Sequence, residues 1–217
     1  GLSARTTLSL AQALYEKHKA LTYPRTDSRA LPEDYLSTVK ATMEALRESN
    51  AYAGFAGQIL KQKWVKPNKR IFDDSKISDH FAIIPTLRRP KSLSELETKL
   101  YDLVVKRFLA VFYPPAEYLL TTRITRVAGE PFKTEGKVLV SPGWLAVYGK
   151  EAAAEGDDPT LTPVKAGETV ATEKVDVVAL VTRPPPRYNE ATLLSAMEGA
   201  GKAIEDDELR EAMREKG

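Results

Sequence analysis

The sequence has 217 residues, of which 42% are hydrophobic and 29% charged, as in an ordinary globular protein with one or two domains. It has no cysteine, which excludes disulfides and thiolate metal sites and fits a reducing compartment. No apolar run is long enough to span a membrane. The formal net charge of +2 does not by itself indicate a nucleic-acid-binding protein.

The first third of the chain has the periodicity of amphipathic helices. Apolar residues at helical spacing predict a helix over residues 4–19, which Ser3 can cap. His18 lies near its negative end, and we interpret it as a helix-end charge rather than a catalytic residue. A second helix is predicted to begin near Pro32, and a third, weakened by its glycines, covers residues 51–62.

One segment has the residue types of a catalytic site that acts on phosphates, namely Leu21-Thr22-Tyr23-Pro24-Arg25-Thr26-Asp27-Ser28. Because Pro24 favours extended backbone, side chains should alternate, with Tyr23, Arg25 and Asp27 on one face. A phenol can act as a covalent nucleophile, and nearby positive charge helps it to ionise. A guanidinium supplies that charge and fits phosphate oxygens. Taken alone, the short pattern is more typical of a half-buried tyrosine at a strand end.

The segment 61–90 is irregular and basic, with eight Lys and Arg against three Asp. Trp64 and Phe72 are interleaved with these charges, and basic side chains around aromatics can hold single-stranded nucleic acid. The alternative interpretation, which composition alone favours, is a solvated loop with two aromatics in the core. The candidate DNA-binding residues are Lys66, Lys69, Arg70 and Arg88.

A fourth helix is predicted to open with a capping box at residues 92–95 and to end at residues 113–115. Its expected apolar side consists of Leu96, Leu100, Leu103, Val104, Phe108 and Val111. The hydrophobic period then changes to two, which predicts consecutive antiparallel strands. The expected strands are 118–126, 132–140, 144–148 and 168–182, with turns at 129–131, 142–143 and 166–167 and a mobile acidic loop over 150–160.

The chain is predicted to end in helices after a stiff proline-rich linker at residues 183–187. Asn189 should cap a helix that ends near Gly199, and a second short helix is predicted over residues 205–216. The fold class is therefore α+β and multidomain, with an incomplete antiparallel sheet after a mainly helical region. Because the chain starts abruptly at a helical pattern, we expect a segment of a longer protein.

Three strings in this order resemble signatures of type IA DNA topoisomerases, most closely the topoisomerase III branch. The first is the segment 21–28, which matches the family's active-site pattern without a gap. The second is Asp79-His80-Phe81-Ala82-Ile83-Ile84-Pro85-Thr86, and the third is the proline-rich entry into a helix over residues 184–198. The resemblance therefore covers most of the chain.

The resemblance implies that Tyr23 cleaves single-stranded DNA through a 5′-phosphotyrosyl intermediate. It implies that Arg25 binds the phosphate and that His80 stands near Tyr23, with Asp27 and Asp79 as possible supporting residues. Histidine suits such a task because imidazole titrates near neutrality. Mg²⁺ is expected from a metal-binding domain absent from this chain, which supplies no metal ligand. No nucleotide is expected, since the ester keeps the bond energy and no P-loop is present.

The resemblance also implies the domain plan and setting. Residues 1–113 correspond to the tyrosine domain, 114–183 to the returning part of a β arch, and 184–217 to the start of the last helical domain. The parent enzyme would relax or decatenate DNA without ATP in the bacterial cytoplasm, associated with the nucleoid, whereas this segment alone would be monomeric and inactive. Two alternatives stay open, namely a non-catalytic single-strand-binding module and a helical protein-interaction domain.

Overall fold

The computed structural model describes residues 2–149, 161 and 164–199, which divide between two compact units. One unit holds residues 10–173, and the other holds residues 1–9 and 174–217. The helices are α1 Ala4–Glu16, α2 Leu36–Arg47, α3 Ala53–Lys61, α4 Glu95–Phe112 and α5 Glu190–Glu198. The strands are β1 Glu117–Val127 and β2 Glu130–Ser141, and short 3₁₀ helices cover Glu33–Tyr35, Asp74–Lys76 and Gly143–Tyr148.

Four helices of the larger unit share one hydrophobic core. Fully buried side chains come from α1 (Leu14), α2 (Val39 and Met43), α3 (Ile59) and α4 (Leu109). Spacings of three and four residues place such side chains on one stripe of each helix. These four predicted helices are confirmed, although α1 ends three residues early. None of the described helices is long and apolar enough to cross a membrane.

The predicted orientation of α4 is only partly right, since Phe108 is buried and Leu100 and Val104 are partly buried against the core, and the predicted cap is wrong. Ser94, not Ser92, begins the helix, and it forms a capping box with Glu97. The buried face carries Tyr101, Val105, Phe108, Leu109 and Phe112, whereas Leu96, Leu103 and Val111 are exposed. Apolar residues surround much of α4, so periodicity does not select one face. Packing turns the larger aromatic side chains inward, where they remove more apolar area from water.

β1 and β2 form an antiparallel hairpin whose two-residue turn is Ala128–Gly129. Both turn residues have positive φ, +50° and +90°, as such a connection requires. The predicted turn over 129–131 lies too late in the chain, because Pro131 already pairs with Arg126. The predicted α+β class is confirmed by the helices and this two-stranded sheet.

The structure replaces the predicted strand at 144–148 with the 3₁₀ helix Gly143–Tyr148, which buries Leu145 and Val147. Gly143 has φ +46°, and a Cβ atom there would lie 2.3 Å from the carbonyl oxygen of Pro115. Only glycine fits so close to this backbone. The chain therefore turns back onto the end of α4 instead of extending the sheet.

Residues 168–182 form no strand. Val177 and Leu180 are 98% and 86% exposed, and no described segment pairs with this one. A valine-rich sequence becomes a strand only where a neighbour accepts its backbone hydrogen bonds. The turn at 166–167 and the cap of α5 by Asn189 are confirmed. The predicted loop 150–160 and helix 205–216 lie outside the described residues.

The interpretation of His18 as a helix-end charge is incomplete, because His18 contacts a helix 79 residues away. Its Nε2 lies 3.1 Å from Oε1 of Glu97, and both side chains are at least nine-tenths buried. The other carboxylate oxygen of Glu97 accepts the backbone N–H of Ser94 at 2.7 Å. Hydrogen bonds from Ser94, with a smaller contribution from His18, lower the pKa of Glu97 to about 2. One carboxylate thus ties the start of α4 to the residues after α1.

We expect Glu97→Gln to lower the free energy of unfolding at neutral pH. The Glu97 pKa falls from its ordinary 4.5 to about 2 on folding, so its contribution is complete above pH 4.5 and is lost as the pH falls towards 2. The difference between the native chain and the variant should therefore narrow over that interval. Urea unfolding followed by tryptophan fluorescence at several pH values measures it.

Glu95→Gln is the matched control, since Glu95 lies in the same helical turn with its side chain 79% exposed. It should change stability little and without this pH trend. A Glu97→Gln difference that stays constant from pH 6 to pH 3 would contradict the assignment.

Candidate active site

The Tyr23 segment is held in place by a second segment about sixty residues later in the chain. Leu21 forms an antiparallel bridge with Pro85, and the Thr22 N–H donates to the Ile84 carbonyl at 3.0 Å. Farther along, the Ala82 N–H donates to the Ala30 carbonyl at 2.9 Å. The two sequence signatures that carry the resemblance therefore lie side by side as extended chains.

Hydroxyl side chains of the Tyr23 segment add to this backbone pairing. The Thr22 hydroxyl donates to the Ala82 carbonyl at 3.0 Å and accepts the Ile84 N–H at 2.9 Å. The Thr26 hydroxyl donates to the His80 carbonyl at 2.8 Å, and the Ser28 hydroxyl donates to the Lys76 carbonyl at 2.8 Å. These three hydroxyls therefore join the two segments along their length.

Tyr23 is packed between two other rings. The centroid of its ring lies 4.2 Å from that of His80, at an interplanar angle of 41°. The Tyr15 ring from the last turn of α1 meets Tyr23 edge-on, with centroids 5.5 Å apart. No described residue makes a hydrogen bond with the Tyr23 hydroxyl. The ring is thus fixed while its oxygen stays available to a reactant.

The remaining predicted site residues make no hydrogen bond or ion pair with this pair of rings. Arg25, Asp27 and Asp79 are exposed, and none forms an ion pair or hydrogen bond with a described residue. Arg25 lies two residues after Tyr23 in the chain. The structure therefore brings Tyr23 and His80 together and leaves the guanidinium and both carboxylates free to meet a ligand.

The basic segment 61–90 differs from the simple patch that its composition predicts. Lys69 is paired with Glu33, and Lys76 lies 2.8 Å from Asp73. The Lys76 ammonium, with the Ser75 hydroxyl, lowers the pKa of Asp73 to about 2. Two of the eight cations are thereby neutralised, whereas Lys66, Arg70 and Arg88 have no ion pair within the described part of the chain.

The aromatic residues of that segment belong to the core. Phe72 is only 4% exposed, and Trp64 packs against Tyr113 with ring centroids 4.8 Å apart. Phe72 therefore cannot stack on a base, and the Trp64 ring is partly buried against the core. The interpretation of Trp64 and Phe72 as core side chains, which composition favours, is confirmed.

Sequence reasoning missed Tyr15 and Lys19. Tyr15 contacts Tyr23, and the Nζ of Lys19 lies 5.6 Å over the Tyr15 ring. Helical periodicity identifies Tyr15 only as a neighbour of the buried Leu14. Its contact with Tyr23 requires the chain to reverse after α1, and this occurs near Lys19, which has φ +51°. A non-glycine residue in that conformation gives no clear sequence signal.

The fold and the pairing of the two signatures define a class of protein. A family model described as DNA topoisomerase matches residues 1–202, and the chain therefore belongs to the DNA topoisomerase family. The predicted type IA family and topoisomerase III branch are confirmed by this match and by the relatives below.

Sequence relatives include DNA topoisomerase 3 of Bacillus subtilis, at 45% identity over 217 residues and 96% of this chain. DNA topoisomerase 3 of Bacillus licheniformis is likewise 45% identical over 214 residues and 96% of this chain. This chain spans 29% of the length of each of these relatives. Full-length topoisomerase I of Thermotoga maritima shares the fold, with a TM-score of 0.60 and 24% identity over 93% of this chain and 32% of that chain.

We expect Thr22→Val to destabilise the larger unit by about 1–3 kcal/mol, because it leaves a partly buried N–H and carbonyl without their shared partner. Valine keeps the shape of threonine, so packing changes little. Thr98→Val is the control, since that exposed hydroxyl bonds only within its own helical turn. Chemical unfolding of both variants measures the difference, and equal stability would show that the hydroxyl does not fix the two segments.

Proposed function

We propose that this chain is the tyrosine-bearing part of a type IA DNA topoisomerase in which Tyr23 is the nucleophile. The observation that carries the proposal is the Tyr23 ring, held between Tyr15 and His80 with its hydroxyl not hydrogen-bonded to any described residue. Family membership gives this geometry its reaction class. The charged side chains of Arg25, Asp27 and Asp79 form no ion pair or hydrogen bond with a described residue, so they could contact the DNA.

In the proposed step, the Tyr23 oxygen attacks a phosphodiester of single-stranded DNA. A bond forms between that oxygen and phosphorus, and the bond from phosphorus to the 3′ oxygen breaks. The phenol loses one proton and the leaving 3′ oxygen gains one, so the exchange is balanced. Attack by the 3′ hydroxyl on the tyrosyl ester reverses the step after strand passage, which requires no ATP because a covalent intermediate conserves the bond.

Arg25 is proposed to bind the phosphate and stabilise charge that develops during the attack. His80, whose ring contacts that of Tyr23, is proposed to help transfer the proton or bind the phosphate. Asp27 and Asp79 are proposed as supporting residues. The exposed and unpaired Lys66, Arg70 and Arg88 are candidates for contacts to the DNA backbone, and Lys69 is a weaker one because Glu33 already pairs with it.

The described residues do not fit the Mg²⁺ that the resemblance implies. No group of three or more His, Asp or Glu side chains that could hold a metal occurs among them. Ligands for Mg²⁺ would therefore have to come from elsewhere in the parent enzyme, and no step is assigned to the metal here. For the same reason we propose that the segment alone relaxes no DNA.

The proposed setting is a bacterial cytoplasmic enzyme that works at the nucleoid on single-stranded DNA. Residues 1–113, 114–183 and 184–217 are proposed as parts of the tyrosine domain, the β arch and the last helical domain. A non-catalytic single-strand-binding module is a weaker candidate, because its expected stacking residues Trp64 and Phe72 are packed into the protein.

Replacing the nucleophile tests the proposal directly. Tyr23→Phe in the full-length enzyme should abolish the covalent adduct with labelled single-stranded DNA in Mg²⁺, because only the attacking oxygen is lost. Folding and DNA binding should be nearly unchanged. Tyr118→Phe is the control, since Tyr118 lies on the exposed hairpin. An adduct of normal yield in Tyr23→Phe would disprove the assignment, and peptide mapping of the native adduct identifies the bonded residue.

His80 can be tested without losing its packing. His80→Phe keeps a ring against Tyr23 but removes both nitrogens, so we expect a stable protein whose rate of adduct formation falls by about 10²-fold. His80→Ala should lower the rate at least as much. If His80→Phe kept the native rate while His80→Ala did not, the role of His80 would be ring packing alone.

A further inference from the structure

A groove begins beside the Tyr23 segment and follows α2. It consists of two adjoining cavities of about 300 and 190 Å³, whose linings share Thr86, Leu87 and Arg88. The larger cavity is bounded by Lys19 and Thr22, and the smaller one continues to Arg89. We call these two cavities together the basic groove.

The charge of the basic groove has one sign. Lys19, Arg88 and Arg89 contribute to its lining, and none of the described residues that line it is acidic. Arg88 has no ion pair among the described residues. Arg89 donates to the Glu48 carbonyl at 3.0 Å, a contact that positions the guanidinium without neutralising it. A groove of this kind attracts a polyanion.

The remaining lining suits a nucleotide rather than a bare phosphate. Apolar and hydroxyl side chains form the walls of the larger cavity, including Tyr35, Leu87 and Thr38. Its volume of about 300 Å³ is at the small end of the range for ligand sites. The Tyr35 ring packs against Phe81 with centroids 4.9 Å apart, and the cations at the rim supply the phosphate contacts with which proteins hold single strands.

The position of the groove relates it to the nucleophile. Thr22 lines the groove and directly precedes Tyr23. Lys19 lines the groove and also lies over the Tyr15 ring, which in turn contacts Tyr23. In the proposed reaction, the DNA on the 3′ side of the attacked phosphate becomes bonded to Tyr23. That part of the strand must therefore leave over a surface close to these residues.

We propose that the basic groove binds the first nucleotides on the 3′ side of the attacked phosphate, with Lys19 and Arg88 as phosphate contacts. This inference rests on the proposed function. In this proposal the DNA strand runs along α2 through a groove that neither Lys69 nor Lys76 lines. A grip on this side of the break keeps the cleaved strand aligned for resealing while the tyrosyl ester exists.

The test uses the full-length enzyme, Mg²⁺ and labelled oligonucleotides that share one 5′ part and extend one to eight nucleotides beyond the cleavage site. Adduct yield of the native enzyme should rise as the first few downstream nucleotides are added. In Arg88→Gln and Lys19→Gly the ratio of the adduct yield with long substrates to the yield with one downstream nucleotide should fall. For the long substrates, the logarithm of the binding constant falls with the logarithm of the salt concentration. The slope of that plot should become shallower by about one for each cation removed.

The variants are chosen so that folding does not decide the result. Lys19 has φ +51°, a conformation that glycine adopts freely, so Lys19→Gly should be at least as stable as the native protein. Arg107→Gln and Lys40→Ala are the controls, since both residues are exposed, lie on helices of the same unit and do not line the groove. Both controls should retain the native dependence on downstream length.

The outcomes separate the inference from the function on which it rests. If the native enzyme forms no adduct with any substrate, the proposed function fails. If it forms one but Arg88→Gln and Lys19→Gly behave like the controls, the groove assignment is overturned and the function stands. Equal losses with the shortest substrate would also overturn it, because the cations would then act at the attacked phosphate itself.

Discussion

The structure of the site depends on the pairing between two extended segments that are about sixty residues apart in the chain. Backbone bonds join Thr22 to Ile84 and Ala30 to Ala82, and the hydroxyls of Thr22, Thr26 and Ser28 satisfy further carbonyls of the second segment. Tyr23 thereby meets His80, and Arg25 stays accessible to a phosphate.

The helical core supports this pairing from behind. Leu14 of α1 and Leu21 of the Tyr23 segment are both buried, so the chain enters the site from a fixed helix. The contact from His18 to Glu97 then ties the residues after α1 to the start of α4. An extended pair with few backbone bonds would be weak alone. Packing against four helices is what makes the position of Tyr23 well defined.

The electrostatics separate structural cations from those that can meet DNA. Lys69 and Lys76 belong to pairs within the protein, whereas Lys19, Arg88 and Arg89 line a groove without a carboxylate. A count of charges along the sequence gives all of them equal weight. The net charge of +2 hides the contrast, because none of the described acidic side chains lines this groove. Local charge next to the nucleophile therefore says more about a DNA path than the charge of the whole chain.

The sequence by itself determined the family, the helices of the core and the hairpin, because short motifs, caps and hydrophobic periods are local properties. It did not determine which face of α4 is buried, where apolar residues occur on more than one side and long-range packing decides. It also predicted strands at 144–148 and 168–182, but the first folds back onto α4 and the second has no described partner for its hydrogen bonds. Only the tertiary structure placed Tyr15 against Tyr23 and left Lys19 and Arg88 together in one groove, since both depend on how distant segments pair and where the chain reverses.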